Sequence, residues 1–106
     1  LSLTGTGVTD EGLEPLAALT DLEHLRLTAT RVSDVGLKHL KGFGRLRRLA
    51  VSETGVSDAG LKQIAELQTL TDLGLRKCPE ITDAGLKEVA KLKGLQSVDL
   101  RDCVKV

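Results

Sequence analysis

The sequence predicts an α/β fold, a right-handed solenoid of about four repeats with parallel strands on its concave face and helices on its convex face. Three observations predict this fold. The chain of 106 residues repeats one pattern every 24 or 25 residues without a drift in register. Each unit contains a short segment that alternates apolar and variable residues, which is the period of a half-buried strand. Each unit also contains a segment with the apolar spacing of a helix.

The repeat is defined by a motif in which Val or Ile is followed by Thr or Ser, then Asp, any residue, Gly and Leu. Copies of the motif begin at Val8, Val32, Val56 and Ile81. Neither end resembles a polar capping repeat and the chain contains no Met, so we expect a fragment of a longer array. The motif predicts one domain over residues 1–106, with a partial repeat at 1–7 and repeats at 8–31, 32–55, 56–80 and 81–105.

The strands are predicted from a second pattern, L-x-x-L-x-L-x-x-T/C, which follows the helical segment of each unit. Its strand leucines are Leu25 and Leu27 in the first unit and Leu73 and Leu75 in the third. Because successive side chains of a strand point to opposite faces, we expect these leucines in the core and their neighbours on the exposed face. Leu1-Ser-Leu3 shows the same alternation, which makes five predicted strands.

Four helices are predicted to begin after the Val or Ile of each motif. The Thr or Ser at the next position is suited to accept a hydrogen bond from a free N–H of the first turn, and the following Asp lies favourably at the positive helix end. The motif Gly costs about 1 kcal/mol inside a helix, so its recurrence predicts a helix start that packs against backbone. Pro15 lies inside the first helix and lacks an N–H, which predicts a short, kinked or irregular helix there.

One repeat does not bury enough apolar surface to fold alone. A unit offers about seven apolar side chains, each of which stabilises the fold by roughly 1.5–3 kcal/mol when buried. Ordering the backbone opposes folding by about 1–2 kcal/mol for every residue of the unit. Stacking of successive repeats must therefore supply the rest of the stability.

These motifs resemble the leucine-rich repeats of the ribonuclease-inhibitor-like superfamily. Residues 30–37 and 54–61 look like the short T-x-V-T-D-x-G-L repeats of some bacterial proteins, and residues 78–86 are similar to the cysteine-containing repeats of F-box substrate receptors. The resemblance implies a protein-protein interaction module. Two alternatives stay open: a structural or assembly segment of a larger repeat protein, and the substrate-recognition part of an F-box-like ubiquitin ligase receptor, although no F-box segment is present.

The balanced charge argues against a surface for nucleic acid or an acidic membrane, because the chain has 15 basic and 15 acidic residues. No apolar run has the length of a membrane span. We therefore expect a protein partner, and neither nucleic acid, membrane nor cofactor. The compartment stays open, with the cytoplasm favoured. End-to-end self-association is a further expectation, since open strand edges invite pairing.

The cysteines and histidines form no recognisable catalytic or metal-binding pattern. Cys78 and Cys103 occupy an inward position that Thr fills in other units, so we expect free structural thiols, although rungs about 5 Å apart leave a disulfide open. His24 should face out from the sheet and His39 from a helix, away from the cysteines, which argues against zinc. His24 and Ser52 would lie about 14 Å apart, too far for proton transfer. We expect no enzyme activity.

The exposed face of the sheet is the predicted binding surface. Stacking places its side chains in columns about 4.8 Å apart, so Arg48 is expected to pair with Asp72, and Asp99 with Arg76 or Arg101. Arginine is the only residue type on this face that commonly dominates interface energy. On the helical side, lysines are expected to keep the surface soluble, with an anionic partner as the alternative. The predicted partner-binding residues of the concave face are His24, Arg26, Arg48, Asp72, Arg76, Asp99 and Arg101.

Overall fold

The computed structural model describes residues 1–106, in which helices and strands alternate along the chain. None of the helices has the length and hydrophobicity that a membrane span requires. The strands are β1 (His24–Arg26), β2 (Arg48–Ala50), β3 (Asp72–Gly74) and β4 (Ser97–Asp99). The α-helices are α1 (Asp10–Leu13), α2 (Asp34–Leu37), α3 (Asp58–Ile64) and α4 (Asp83–Val89), and 3-10 segments follow the first two at Pro15–Ala18 and Lys38–Gly42.

The strands form one parallel sheet in the order β1-β2-β3-β4. Its register aligns Leu25, Leu49 and Leu73, and all three side chains are buried in the core. Adjacent strands need about 4.8 Å and adjacent helices about 10 Å, so the stack bends with its strands on the concave side. The predicted solenoid of parallel strands and helices is confirmed.

The fifth predicted strand, at Leu1-Ser-Leu3, is reduced to a single bridge between Ser2 and Arg26. The Leu3 N–H donates to the Arg26 carbonyl at 2.8 Å and the Arg26 N–H donates to the Leu1 carbonyl at 3.0 Å, so the segment keeps the predicted register. A bridge needs a residue on each side of the paired position, and Leu1 begins the chain. The prediction of five strands was therefore wrong by one.

The helices fall into two kinds. The third and fourth span seven residues each, whereas the first two span four residues and continue as 3-10 turns. For α1 this confirms the irregularity predicted from Pro15, which starts the 3-10 turn. The shortness of α2 was not predicted. Val35 and His39 stand there where the third repeat has Ala59 and Gln63, and both replacements lower helix propensity.

The predicted helix caps are present in two of the four repeats. The Ser57 side chain accepts the Ala59 N–H at 3.3 Å, and the Thr82 side chain accepts the Ala84 N–H at 3.2 Å. The side chain of Ser33 makes no capping bond, so the prediction was wrong for α2, and likewise for α1. The Ser33 hydroxyl donates to the carboxylate of Asp10, at 2.6 Å.

The Asp of each motif bonds to the next repeat. Asp34 Oδ1 accepts the Ser57 N–H at 2.8 Å, and its Oδ2 accepts the Ser57 hydroxyl. Asp10 holds Ser33 in the same way, and Asp58 holds Thr82. The carboxylate therefore ties two repeats together, a role that the prediction of a favourable charge at its own helix start did not include.

The motif Gly makes space for this carboxylate. A Cβ atom at Gly60 would overlap Oδ1 of Asp34, and the same overlap would occur at the Gly residues of the second and fourth repeats. At Gly12 no carboxylate lies within this distance, and the nearest atom would be Val8 Cγ2 at 3.0 Å. The predicted close approach is confirmed. Side-chain atoms rather than the expected backbone occupy the space at Gly60 and Gly85, whereas at Gly36 the backbone Cα of Asp10 also lies close, at 3.1 Å.

The core is continuous along the solenoid, and its side chains are more completely buried in the middle than at the ends. Leu27 and Leu75 have no exposed surface, whereas the equivalent Leu3 and Leu100 are only partly buried. The single aromatic side chain, Phe43, is also buried. Each repeat is thus covered by its neighbours, as the energy argument for stacking requires.

Candidate functional site

The concave face consists of the outward side chains of the strands and of the turns that follow them. Strand pairing aligns His24 with Arg48, Asp72 and Ser97 in a first column, and Arg26 with Ala50, Gly74 and Asp99 in a second. The predicted binding residues His24, Arg26, Arg48, Asp72, Arg76, Asp99 and Arg101 are all exposed or partly exposed on this face.

Ion pairs form on the concave face, between neighbouring rungs at Arg48 and within one rung at Asp99. Arg48 Nε lies 3.3 Å from Asp72 Oδ2, as predicted from their column. Of the two predicted partners for Asp99, Arg101 makes the contact, with Nε at 3.0 Å and Nη2 at 2.8 Å from the two carboxylate oxygens. These pairs are exposed to solvent, so they contribute little to the stability of the fold. They set the positions of the side chains and neutralise part of the arginine charge.

Asp99 is the most strongly perturbed carboxylate of this face. The hydrogen bonds from the Arg101 side chain, followed by the bond from the Arg101 backbone, lower the pKa of Asp99 to about 2. Both oxygens of the carboxylate are occupied by the guanidinium. Asp99 is consequently ionised near neutral pH and has its charge balanced within the chain.

Arg76 reaches a different carboxylate. Its Nε lies 3.9 Å from Asp102 Oδ2, which is too long for a hydrogen bond, and this nitrogen is buried without a hydrogen-bond partner. The Arg76 backbone N–H donates to the Ser52 hydroxyl at 2.9 Å. Ser52, which follows β2, is buried, and its hydroxyl turns toward the next rung to accept this bond.

A depression of ≈ 220 Å³ lies between the first two columns. Ala50 and Gly74 are among the residues that line it, together with His24, Arg26 and Arg48. These two small residues were not among the predicted partner-binding residues. The available signal was that two successive outward positions of one column carry almost no side chain.

The cysteines lie on the opposite side of the sheet, within the core. Both thiols are free and buried, so no disulfide joins them. The Cys78 Sγ donates to the Val51 carbonyl at 3.3 Å and the Cys103 Sγ to the Leu75 carbonyl at 2.9 Å. Burial raises the pKa of Cys78. The two thiols therefore act as small core side chains, and no group of three His, Cys, Asp or Glu residues is placed to hold a metal.

Comparisons with known proteins agree with this architecture. A family model described as "Leucine Rich repeat" matches residues 1–17 and 66–90. Among solved structures, an internalin (inlF) from Listeria monocytogenes aligns with a TM-score of 0.61 over 94% of this chain at 17% sequence identity. The chain covers 34% of that internalin, about a third of its length. No curated protein matches the sequence. These similarities establish a leucine-rich-repeat fold and do not distinguish the ribonuclease-inhibitor-like subclass.

Proposed function

Because the chain folds as a leucine-rich-repeat solenoid, we propose that it is a protein-protein interaction module whose concave face binds a protein partner. The supporting observation is that each strand has one position that faces the core and two positions that face outward. The central residue of each strand packs against the core, as a buried leucine in β1 to β3 and as the partly buried Val98 in β4, while the side chains on either side of it point outward. Four strands in register turn these outward side chains into one continuous surface.

The composition of this surface also supports a protein partner. It carries both arginine and aspartate, and three of its four arginines are paired with carboxylates of the same chain. A polyanion such as nucleic acid would require a stripe of unneutralised positive charge. A protein partner can instead use the mixed charges for orientation and the small residues between them for close approach.

The proposal is tested by reversing Arg48, Arg76 and Arg101 to Glu together. Partners are first captured from a cell extract with the wild-type chain, then purified and measured directly by calorimetry. Loss of binding by the triple variant, without a change in its circular dichroism spectrum, would support the concave face. A Gln version of the same three positions controls for repulsion between the new Glu residues and their neighbouring aspartates.

The matched control is on the helical side. Lys38, Lys62 and Lys87 occupy the same position in successive repeats, are exposed and form no ion pair. Reversing these three lysines should leave binding of the partner unchanged. If the partner binds the concave variant normally and is lost with the lysine variant, the binding surface is on the helices and the proposal is wrong.

The end faces of the solenoid support a second candidate function, that of a structural or assembly segment. Asp10, Asp34 and Asp58 each bind the next repeat, whereas the equivalent Asp83 is exposed and forms no hydrogen bond or ion pair. Val104, with 80% of its surface exposed, lies at the same end. Light scattering over a range of concentrations separates the candidates, because an assembly segment should form larger species and a self-contained binder should stay monomeric.

A further inference from the structure

Arg26 differs from the other arginines of the concave face because its guanidinium has no partner. Arg48, Arg76 and Arg101 each lie within 4.0 Å of a carboxylate. Arg26 is exposed and makes neither an ion pair nor a side-chain hydrogen bond. Its column neighbours are Ser2 and Ala50, which carry no charge. All five N–H donors of Arg26 are therefore available to a ligand.

The free guanidinium lies at the edge of the depression over Ala50 and Gly74. A Cβ atom on Gly74 would lie 3.3 Å from the Ala50 Cβ, so a larger residue at either position would fill this space. At ≈ 220 Å³ the depression is smaller than the roughly 300–1,000 Å³ of pockets that enclose a whole small molecule. It fits part of a macromolecule, such as the tip of a loop.

The charges around the depression select a carboxylate. Arg48 is balanced by Asp72, which leaves the charge of Arg26 in excess. Asp99 lies at the far end of the same column but is already bound by both arms of the Arg101 guanidinium, so it offers no free site for a cation. Arginine recognises a carboxylate through two parallel N–H donors, which favours Asp or Glu over a neutral amide.

We infer that the concave face receives an acidic loop of a protein partner, with an Asp or Glu carboxylate on the Arg26 guanidinium and the adjoining loop backbone over Ala50 and Gly74. This inference rests on the proposed function and adds the chemistry of the partner and the position of its anchor. Arg26 provides the decisive contact because it is the one arginine of the concave face that has no ion pair to break before the partner binds.

The test uses a displayed library of random peptides, selected on the 106-residue chain. Enriched peptides are synthesised, and their dissociation constants are measured by fluorescence polarisation against the wild type and three variants. Arg26→Ala removes the guanidinium and Ala50→Leu fills the depression. Arg31→Ala is the matched control, because Arg31 is also an exposed arginine and its backbone forms a bridge with Thr9 outside the concave face. Circular dichroism verifies that each variant is folded.

We expect enriched peptides to contain an acidic residue whose change to Asn or Gln weakens binding about tenfold or more. Arg26→Ala should weaken binding by a similar factor, and the two losses should not add, because they remove the same contact. Ala50→Leu should also weaken binding, and Arg31→Ala should change it by less than about twofold.

Two results would overturn the inference in distinguishable ways. Peptides that are sensitive to Ala50→Leu but indifferent to Arg26 and to their own acidic residues would refute the acidic anchor and leave the concave face as a binding surface. Peptides insensitive to both concave-face changes, or the absence of any enriched acidic peptide, would count against the anchor and leave the concave face without support from this assay.

Discussion

Replacing Gly60 by Ala should destabilise the protein, although the same change stabilises an ordinary helix. The new Cβ would occupy the place of Asp34 Oδ1 and would also lie 2.8 Å from Leu37 Cδ1. Asp34 would have to move and release the Ser57 N–H, now 2.8 Å away, and the Ser57 hydroxyl. The repeat junction would thus lose two hydrogen bonds to a charged group.

The magnitude follows from three contributions. Each hydrogen bond to a charged group contributes about 1.5–3 kcal/mol, which we reduce by about half because the junction is partly exposed. Replacing a helical Gly by Ala stabilises a helix by about 1 kcal/mol, and crowding of Leu37 destabilises the protein by a similar amount. The net loss for Gly60→Ala is about 1.5–3 kcal/mol, or a fall in Tm of roughly 6–24 °C for a chain of this size.

A double-mutant cycle isolates the junction. With Asp34→Ala already present, the two bonds are absent, so adding Gly60→Ala should change the free energy of unfolding by less than about 1 kcal/mol. Gly12→Ala is the matched control, because no carboxylate lies against Gly12. Urea unfolding is followed by circular dichroism, since the chain has no Trp or Tyr for fluorescence. Equal effects at Gly60 and Gly12, or additive effects in the cycle, would refute the reasoning.

Three further predictions concern other parts of the fold. Burial raises the pKa of Asp58, but the hydrogen bonds from Thr82 outweigh burial, and the net result is a pKa below the usual 3.8. Asp58 therefore stabilises the fold above pH 3.8, and this contribution is lost as the pH falls below that value. Asp58→Asn should make unfolding less dependent on pH in this acidic range, and an unchanged pH profile would contradict the assignment. Ala29 has a φ of 56°, in the left-handed region. Ala29→Gly should therefore raise the free energy of unfolding by about 0.5–1 kcal/mol in a urea titration, and a loss of stability would show that the backbone is not strained there. Cys78 and Cys103 should react slowly with a thiol reagent in the folded protein and completely in urea, because both are buried, and rapid reaction of the native protein would disprove this protection.

Much of the fold was predictable because each repeat carries its own local pattern. The alternation around Leu25 and Leu49 predicted strands whose register the structure confirms. The same register predicted the contact of Arg48 with Asp72, since parallel strands without a shift place equivalent residues side by side.

The junctions between repeats were not predictable in the same way. An Asp after a Ser or Thr at a helix start has a sufficient local explanation, so nothing in one repeat indicates that Asp34 binds Ser57 in the next. The burial of Ser52 and the depression beside Ala50 and Gly74 also depend on the side chains of the neighbouring rung.

By itself, the sequence determined that this chain is a stack of repeats with apolar side chains inward and a strip of polar side chains outward, because periodicity is a property that each segment displays locally. Only the tertiary structure decided which carboxylates join the repeats, which arginine of the concave face remains unpaired and where the face is hollow. These features arise between residues that stacking brings into contact across a whole repeat, and the local pattern of one repeat does not show which atoms the next repeat contributes.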